Sequence, residues 1–291
     1  SRMFNAVDEN SLGYLFIDEA GQALPQASVG AIFRSKKIIV VGDPSQIKPV
    51  LTLDSNVLNL IGQHYFVDER YVSSEASTQT LTDAASQFGY YKNEDEWVGI
   101  PLWVHRRCNE PMFSISNSSS YNGLMVQGKK KSEAIGKAVW FDVKGNARDK
   151  YVKEQGEMLK ELIKSQLVDN PELANEIYVI TPFRNVANQL IKILDQIQFT
   201  QREEGRVTNV GTVHTFQGKE AKIVYLVLGA DTKSKGAASW AVLDPNIMNV
   251  AATRAKEEFY IIGDKQLYAS LGSRVADETI KIIEKYNTVR L

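Results

Sequence analysis

Two short stretches decide the fold class of this chain: residues 15–22, LFIDEAGQ, and residues 38–46, IIVVGDPSQ. Each begins with an apolar run as long as a buried strand and ends in an acidic turn. Such runs are typical of buried parallel strands, whose carboxyl ends form the sheet edge where open α/β folds bind ligands. The stretches therefore predict an α/β fold with both acidic turns at one edge of a sheet.

The residue types in these turns suit a magnesium nucleotide. Asp18 would hold the metal, Glu19 would act on an attacking water, and Gln46 would sense the terminal phosphate. The phosphate-binding loop that precedes such turns in nucleotide hydrolases is absent from the sequence. We therefore expect the chain to begin inside a domain, and this length of chain to have little or no ATPase activity.

Length and composition indicate an ordinary folded protein of about two domains. The chain has 291 residues and a net charge of −1, so its surface as a whole does not attract nucleic acid or anionic membranes. A nucleic-acid site would have to be a local groove. Cys108, the single cysteine, excludes an internal disulfide and favours a cytoplasmic protein, and no apolar run reaches the length of a membrane span.

We predict two domains, residues 1–96 and 97–291, divided at a polar stretch near residues 90–96. The first contains strands at 12–18 and 37–42, with a short helix or turn at 24–34 and a helix at 78–88. The second alternates strands and helices, which predicts a parallel sheet covered on both faces. Its strands are predicted at 101–105, 138–142, 176–181, 207–213, 222–228 and 258–263, and its helices at 110–117, 151–168, 184–197, 244–255 and 276–286.

Taken in their order along the chain, the polar segments at strand and helix ends resemble the motifs of superfamily 1 helicases of the Upf1-like branch. The first domain contributes DEAGQ at 18–22 and GDPSQIKP at 42–49. The second contributes HRRC at 105–108, TPF at 181–183, VHTFQGKE at 213–220 and VAATRAK at 250–256. The resemblance spans nearly the whole chain. It implies a RecA-like P-loop NTPase fold, with the second half of one RecA-like domain followed by a complete second one.

The resemblance also implies a cofactor site for ATP and Mg²⁺ between the two domains. Asp18 would hold the metal, Glu19 the hydrolytic water, and Gln46 the γ-phosphate. The two arginine fingers would be Arg106 and Arg254, with Arg107 as the alternative to Arg106 because His105 stands where the family usually has an aromatic neighbour. The remaining nucleotide contacts implied by the family motifs are Gln22, Asp43, Gly218 and Glu220.

For the nucleic acid, the resemblance implies a single-stranded partner gripped through its phosphates by Thr181, Arg184, Thr212 and His214. The branch likeness further implies translocation from 5′ to 3′. We rank DNA above RNA as the substrate, although contacts to phosphate do not interrogate the sugar.

Other interpretations of the same residues remain open. The chain could be a nucleic-acid-binding or regulatory module that keeps the fold without catalysis. A metal-dependent nuclease using Asp18, Glu19 and Asp43 ranks last. Residues 123–130 spell Gly-x₄-Gly-Lys, but neither a strand before nor a helix after supports a phosphate-binding loop, so a solvated basic turn is predicted. His105 and Cys108 have too few companions to form a zinc site.

Overall fold

The computed structural model describes residues 6–46, 48–49, 53–72, 76–92, 94, 96–216 and 218–289. The chain forms two compact units, Ser1–Leu102 and Trp103–Leu291. The first unit ends at Leu102 rather than at residue 96, because Trp97–Gly99 pairs with Gly89–Tyr91 in an antiparallel hairpin. Among the residues described, no helix is both long and apolar enough to cross a bilayer.

The first unit combines a parallel strand pair with short helices and one hairpin. The ends of its helices have identifiable sequence causes: Pro25 opens the first helix, and the Asp54 carboxylate accepts the Asn56 N–H at 2.9 Å. In chain order the elements are β1 Leu12–Ile17, α1 Pro25–Phe33, β2 Ser35–Val40, α2 Ser55–His64, α3 Glu69–Val72, α4 Thr78–Ala85, β3 Gly89–Tyr91 and β4 Trp97–Gly99.

The two predicted strands of this unit pair in parallel, with Leu15 opposite Ile38 and Ile17 opposite Val40. The prediction that they are buried is wrong, because Phe16 is 70% exposed and Ile39 is 44% exposed. In the described part of the unit their sheet has only these two strands, so most of the apolar side chains on both strands stay accessible to solvent.

The second unit is built around a five-stranded parallel sheet, as the alternating pattern predicts. Its elements, in chain order, are β5 Val104–His105, α5 Met112–Ser120, β6 Val126–Gln127, β7 Lys137–Asp142, β8 Ala147–Arg148, β9 Tyr151–Val152, α6 Lys153–Asp169, β10 Ile177–Thr181, α7 Arg184–Asp195, β11 Arg202–Glu203, β12 Arg206–Val207, β13 Val210–Thr212, β14 Ala221–Val227, α8 Lys235–Leu243, α9 Asn246–Arg254, β15 Ala255–Gly263, α10 Lys265–Ala269 and α11 Arg274–Val289.

The strand order in this sheet is β13-β10-β14-β15-β7. From β10 the chain passes outward to β13 and then returns to the other side of β10 as β14, which creates a topological switch point next to β10. The consecutive residues Ile223, Val224 and Tyr225 in β14 are all buried. Because successive side chains point to opposite faces, both faces of the sheet are covered.

Several segments depart from the predicted elements, and the helices α2 Ser55–His64 and α10 Lys265–Ala269 are among those that were not predicted. The strand predicted at 101–105 is reduced to Val104–His105, which pairs with Val126–Gln127 outside the main sheet. The strand predicted at 207–213 is divided: Val207 ends the short hairpin strand β12, the parallel strand β13 is only Val210–Thr212, and a 3-10 turn begins at Val213. Helix α8, Lys235–Leu243, was not predicted, since its alanine-rich sequence carries no clear amphipathic pattern.

Candidate functional site

The acidic turn after β1 is held by its own side chains. Glu19 adopts the left-handed conformation, with φ of 52°, and its backbone N–H donates to Asp18 Oδ1 at 2.8 Å. Gln22 Nε2 donates to Glu19 Oε2 at 3.1 Å. Asp18 lies exposed directly after the carboxyl end of the strand, and Glu19 is oriented by the amide of Gln22. Three of the predicted site residues are thus brought together.

The acidic turn after β2 is closed by Asp43. Its Oδ1 accepts the Ser45 N–H at 2.9 Å, and its Oδ2 accepts Gln46 Nε2 at 2.9 Å. Asp43 therefore orients the Gln46 amide, and a contact between Gln46 and a phosphate would exchange this hydrogen bond. Ile47, in the same predicted motif, lies outside the described residues.

The two acidic turns cross at glycines. Ala20 N–H donates to the Val41 carbonyl at 3.0 Å, which joins the end of β1 to the end of β2. A Cβ built on Gly42 would lie 2.8 Å from the Gly21 nitrogen, and one built on Gly21 would lie 2.8 Å from the Asp43 carbonyl oxygen. Glycine is therefore required where the turns touch.

The donors in these turns fit a magnesium ion only in part. Asp18 offers the hard carboxylate oxygen that Mg²⁺ prefers, and Mg²⁺ characteristically keeps several waters and binds through one or two carboxylates. Within the described ranges no group of three or more histidine, cysteine or acidic side chains could hold a metal by itself. A metal at this edge would thus be held by Asp18 together with water and phosphate oxygens.

The second unit contains a charged cluster centred on Glu220. Arg107 Nε lies 3.4 Å from Glu220 Oε2, and Lys256 Nζ lies 2.6 Å from Glu220 Oε1. The hydrogen bond from Lys256, with the charges of Lys256 and Arg107, lowers the pKa of Glu220, while the same bond raises the pKa of Lys256. Arg106 is exposed and is not part of this cluster. The neighbour of Glu220 is thus Arg107, the alternative finger.

The loop that carries these arginines closes on a neutral histidine. Cys108 N–H donates to His105 Nε2 at 3.1 Å, and Cys108 Sγ lies 3.0 Å from the same nitrogen. Burial, then the charges of Arg107, Lys129 and Arg254, lowers the pKa of His105 to about 4. Burial raises the pKa of Cys108 to about 12, so the thiol stays protonated. These states suit a structural clasp rather than a nucleophile or a zinc ligand.

Arg254, the second predicted finger, is buried, with 1% of its surface exposed. Its Nη1 donates to the Lys219 carbonyl at 3.1 Å, and its Nη2 lies 3.4 Å from Thr253 Oγ1. Gly218, just before that carbonyl, has φ of 76°. The guanidinium therefore braces the turn that carries Glu220, while Gln217 in the same predicted motif lies outside the described residues.

The predicted nucleic-acid contacts lie at the carboxyl ends of two neighbouring strands. Thr181 and Thr212 are register partners in β10 and β13, beside the switch point. Arg184 begins α7 and is exposed, and partial burial with the Arg184 charge lowers the pKa of His214. Thr181 is fully buried, so its side chain packs inside the second unit and does not face solvent.

An aromatic pair near these residues was missed from the sequence. Phe183 and Trp240 have ring centroids 5.6 Å apart, and Trp240 is 53% exposed. Lys150 Nζ lies 5.7 Å from the centre of the Phe183 ring. Phe183 stands in the predicted TPF motif, but Trp240 lies in the unpredicted α8, and only its residue type could have marked it as a stacking candidate.

Comparison with known proteins places the chain in a class. The family model described as an AAA domain, AAA_12, matches residues 85–266. The ATP-dependent helicase upf1 of Schizosaccharomyces pombe is 21% identical over 88% of this chain and 27% of its own length. The uncharacterized ATP-dependent helicase MG140 of Mycoplasma genitalium is 23% identical over 84% of this chain and 22% of its own.

The DNA replication ATP-dependent helicase/nuclease DNA2 of Gallus gallus is 24% identical over 88% of this chain and 23% of its own. This chain thus spans about a quarter of the length of these relatives. The parallel sheet and the matches define a RecA-like α/β protein of the superfamily 1, Upf1-like helicase class. Within that class, the chain belongs to the AAA domain family.

Proposed function

We propose that the full-length natural protein containing this chain is an ATP-dependent helicase or translocase that moves on single-stranded nucleic acid from 5′ to 3′. The observation that carries the proposal is the contact between the two acidic turns, where Ala20 N–H bonds to the Val41 carbonyl. This contact supports a joint role for Asp18 and Gln46, since it brings a metal-binding carboxylate and a phosphate-sensing amide to one sheet edge.

In this proposal Asp18 holds Mg²⁺, and Glu19 orients and deprotonates the hydrolytic water. Mg²⁺, when bound, neutralises charge on the phosphate oxygens. The hydrogen bond from Gln22 to Glu19 supports this role, because it fixes the carboxylate that must accept the proton. Gln46 reports the loss of the γ-phosphate by exchanging its bond with Asp43.

Arg107 is the first arginine finger in this proposal, in place of Arg106. Its support is the ion pair with Glu220, in the segment whose family counterpart contacts the nucleotide. A planar guanidinium can bind two phosphate oxygens, and that is how such fingers stabilise the transferring group. Arg254 acts as the second finger when it exchanges the Lys219 carbonyl for phosphate oxygens.

The rate of ATP hydrolysis by the full-length natural protein tests this proposal. It is measured with single-stranded DNA and then with single-stranded RNA as the stimulating polymer. Glu19→Gln should abolish turnover while leaving ATP binding intact, because the amide cannot accept the proton of the attacking water. Glu9→Gln, at an exposed carboxylate before β1, is the matched control. Turnover that falls by less than about tenfold in Glu19→Gln would refute the catalytic role. A wild-type protein that binds nucleic acid without hydrolysing ATP would instead support the non-catalytic module.

A further inference from the structure

The turn that imitates a phosphate-binding loop has a different task in the structure. Residues 123–130 lead through β6 into the turn at Lys129, and the ammonium group of this lysine points at the arginine-bearing loop. Lys129 Nζ donates to the Arg107 carbonyl at 2.9 Å and to Asn109 Oδ1 at 2.7 Å. The Lys129 ammonium thus binds the backbone of Arg107, the residue whose side chain pairs with Glu220.

Other bonds from the same turn fix the loop on either side of Arg107. Gly128 N–H donates to the His105 carbonyl at 2.7 Å, and Gln127 Nε2 donates to the Cys108 carbonyl at 3.1 Å. A Cβ on Gly128 would lie 2.8 Å from Arg106 Cγ, so the turn fits against the loop only because this residue is glycine.

Lys129 is distinctive among these donors because it is charged. A hydrogen bond from an ammonium is roughly twice as strong as one between neutral groups. Asn109, its second acceptor, also donates its backbone N–H to the Lys256 carbonyl at 3.0 Å. Lys256 in turn holds Glu220, so a connected set of contacts runs from Lys129 to both ends of the Arg107 ion pair.

We propose that Lys129 is a positioning residue for Arg107, and that the Gly128-Lys129 turn is a strut that aims this arginine at the nucleotide. That Arg107 faces a nucleotide rests on the proposed function, whereas the positioning of Arg107 by Lys129 does not. Lys129 acts through the Arg107 backbone and touches no phosphate. Removing it leaves the guanidinium present and misdirected.

The first test uses this chain and needs no hydrolysis. Hydrogen exchange of the Cys108 and Asn109 amides is compared between wild type, Lys129→Met and the matched control Lys130→Met at an exposed neighbour. Lys129→Met should speed exchange of these amides at least about tenfold, because the variant lacks the charge-assisted hydrogen bonds that oppose loop opening. Lys130→Met should leave their exchange unchanged. Equal exchange in all three proteins would overturn the strut. If Lys129→Met does not fold, Lys129→Gln replaces it.

The second test measures ATP hydrolysis by the full-length natural protein. Lys129→Met should lower kcat roughly tenfold to a hundredfold with little change in KM, because a misplaced finger weakens transition-state contacts. Lys129→Arg should restore most of the activity. In an Arg107→Ala background Lys129→Met should add little further loss.

Additive losses, or a fall confined to KM, would contradict the positioning role. A wild-type protein without ATPase activity would refute the proposed function and leave the exchange result to decide the strut.

Discussion

Arg107 Nε lies 3.4 Å from Glu220 Oε2, and the two side chains are 38% and 42% exposed. An ion pair this accessible contributes little to stability, about 0–1 kcal/mol. The ion pair instead fixes the position of the Arg107 guanidinium at the surface of the second unit. A phosphate could replace the Glu220 carboxylate there. The pair therefore fits a residue that exchanges partners better than one that holds the fold together.

The first prediction separates the two adjacent arginines. Arg107→Ala should lower nucleic-acid-stimulated ATP hydrolysis by the full-length natural protein roughly a thousandfold or more, as expected for an arginine finger. Arg106→Ala, one residue away and also exposed, is the control and should lower hydrolysis by less than about tenfold. Steady-state kinetics of both variants provide the measurement. The reverse ranking would return the finger to Arg106.

The second prediction concerns the pH at which the arginine loop stays closed. The pKa of His105 is lowered to about 4, first by burial and then by the Arg107 charge, from an ordinary value of 6.5. Between these values the unfolded chain binds a proton that the folded chain does not. The contribution of neutral His105 to the free energy of unfolding is therefore fully present above pH 6.5. It is lost as the pH falls toward 4, and its size is on the order of 1–3 kcal/mol.

An NMR titration of the His105 imidazole measures its pKa directly. The midpoint should lie near pH 4, and Arg107→Ala should raise it by removing the largest of the unfavourable charges. His105→Gln should flatten the fall in melting temperature between pH 6.5 and pH 4, since the non-titrating amide leaves only the other groups to bind protons. A midpoint near the ordinary value would contradict this assignment.

The sequence alone predicts the sheet of the second unit and the strand ends that carry candidate residues. The strands predicted at 176–181 and 207–213 contain β10 and β13, and their parallel pairing brings Thr181 and Thr212 together at the carboxyl ends of these strands. The same reasoning joins the two acidic turns. It is wrong about burial in the first unit, because an apolar strand such as β1 is buried only where other elements cover it.

The ion pair of Glu220 with Arg107 could not be read from the sequence. Arg106 and Arg107 follow the same short strand, and the loop that carries them is held by hydrogen bonds from Gln127 and Lys129 to the Cys108 and Arg107 carbonyls. The inward position of Arg254 likewise depends on a carbonyl supplied by another turn. Motif spacing places residue types at a sheet edge, whereas tertiary hydrogen bonds decide which of their side chains contact one another.

The third prediction concerns the proposed nucleic-acid contact at the strand ends of the second unit. Arg184 is exposed at the start of α7, and its charge reaches His214. Arg184→Ala should weaken binding of single-stranded DNA and reduce the slope of log K against log salt by about 0.7, the value for one lost phosphate contact.

Fluorescence anisotropy at several salt concentrations gives that slope. Arg202→Ala is the control, because the guanidinium of Arg202 is held by Asp195 at 2.8 Å. An unchanged slope in Arg184→Ala would remove this residue from the proposed groove.

The fourth prediction concerns the crossing of the two acidic turns. A Cβ on Gly42 would lie 2.8 Å from both the Gly21 nitrogen and Gln79 Oε1, and 2.9 Å from the Ala20 nitrogen. Two of these atoms belong to backbone, which cannot swing aside as a flexible side chain can. Gly42→Ala should therefore push the turns apart and destabilise the first unit by about 1–3 kcal/mol.

Gly13→Ala is the matched control, since Gly13 lies in β1 and a Cβ there meets nothing within 4 Å. Thermal melting and hydrogen exchange of the Ala20 amide, which bonds to the Val41 carbonyl, report the two effects separately. Gly42→Ala should lower the melting temperature and speed that exchange, while Gly13→Ala should leave the exchange unchanged. If Gly42→Ala melts like wild type and the Ala20 amide is still protected, a Cβ at residue 42 causes no steric clash between the turns. The joint role of Asp18 and Gln46 would then lose its geometric basis.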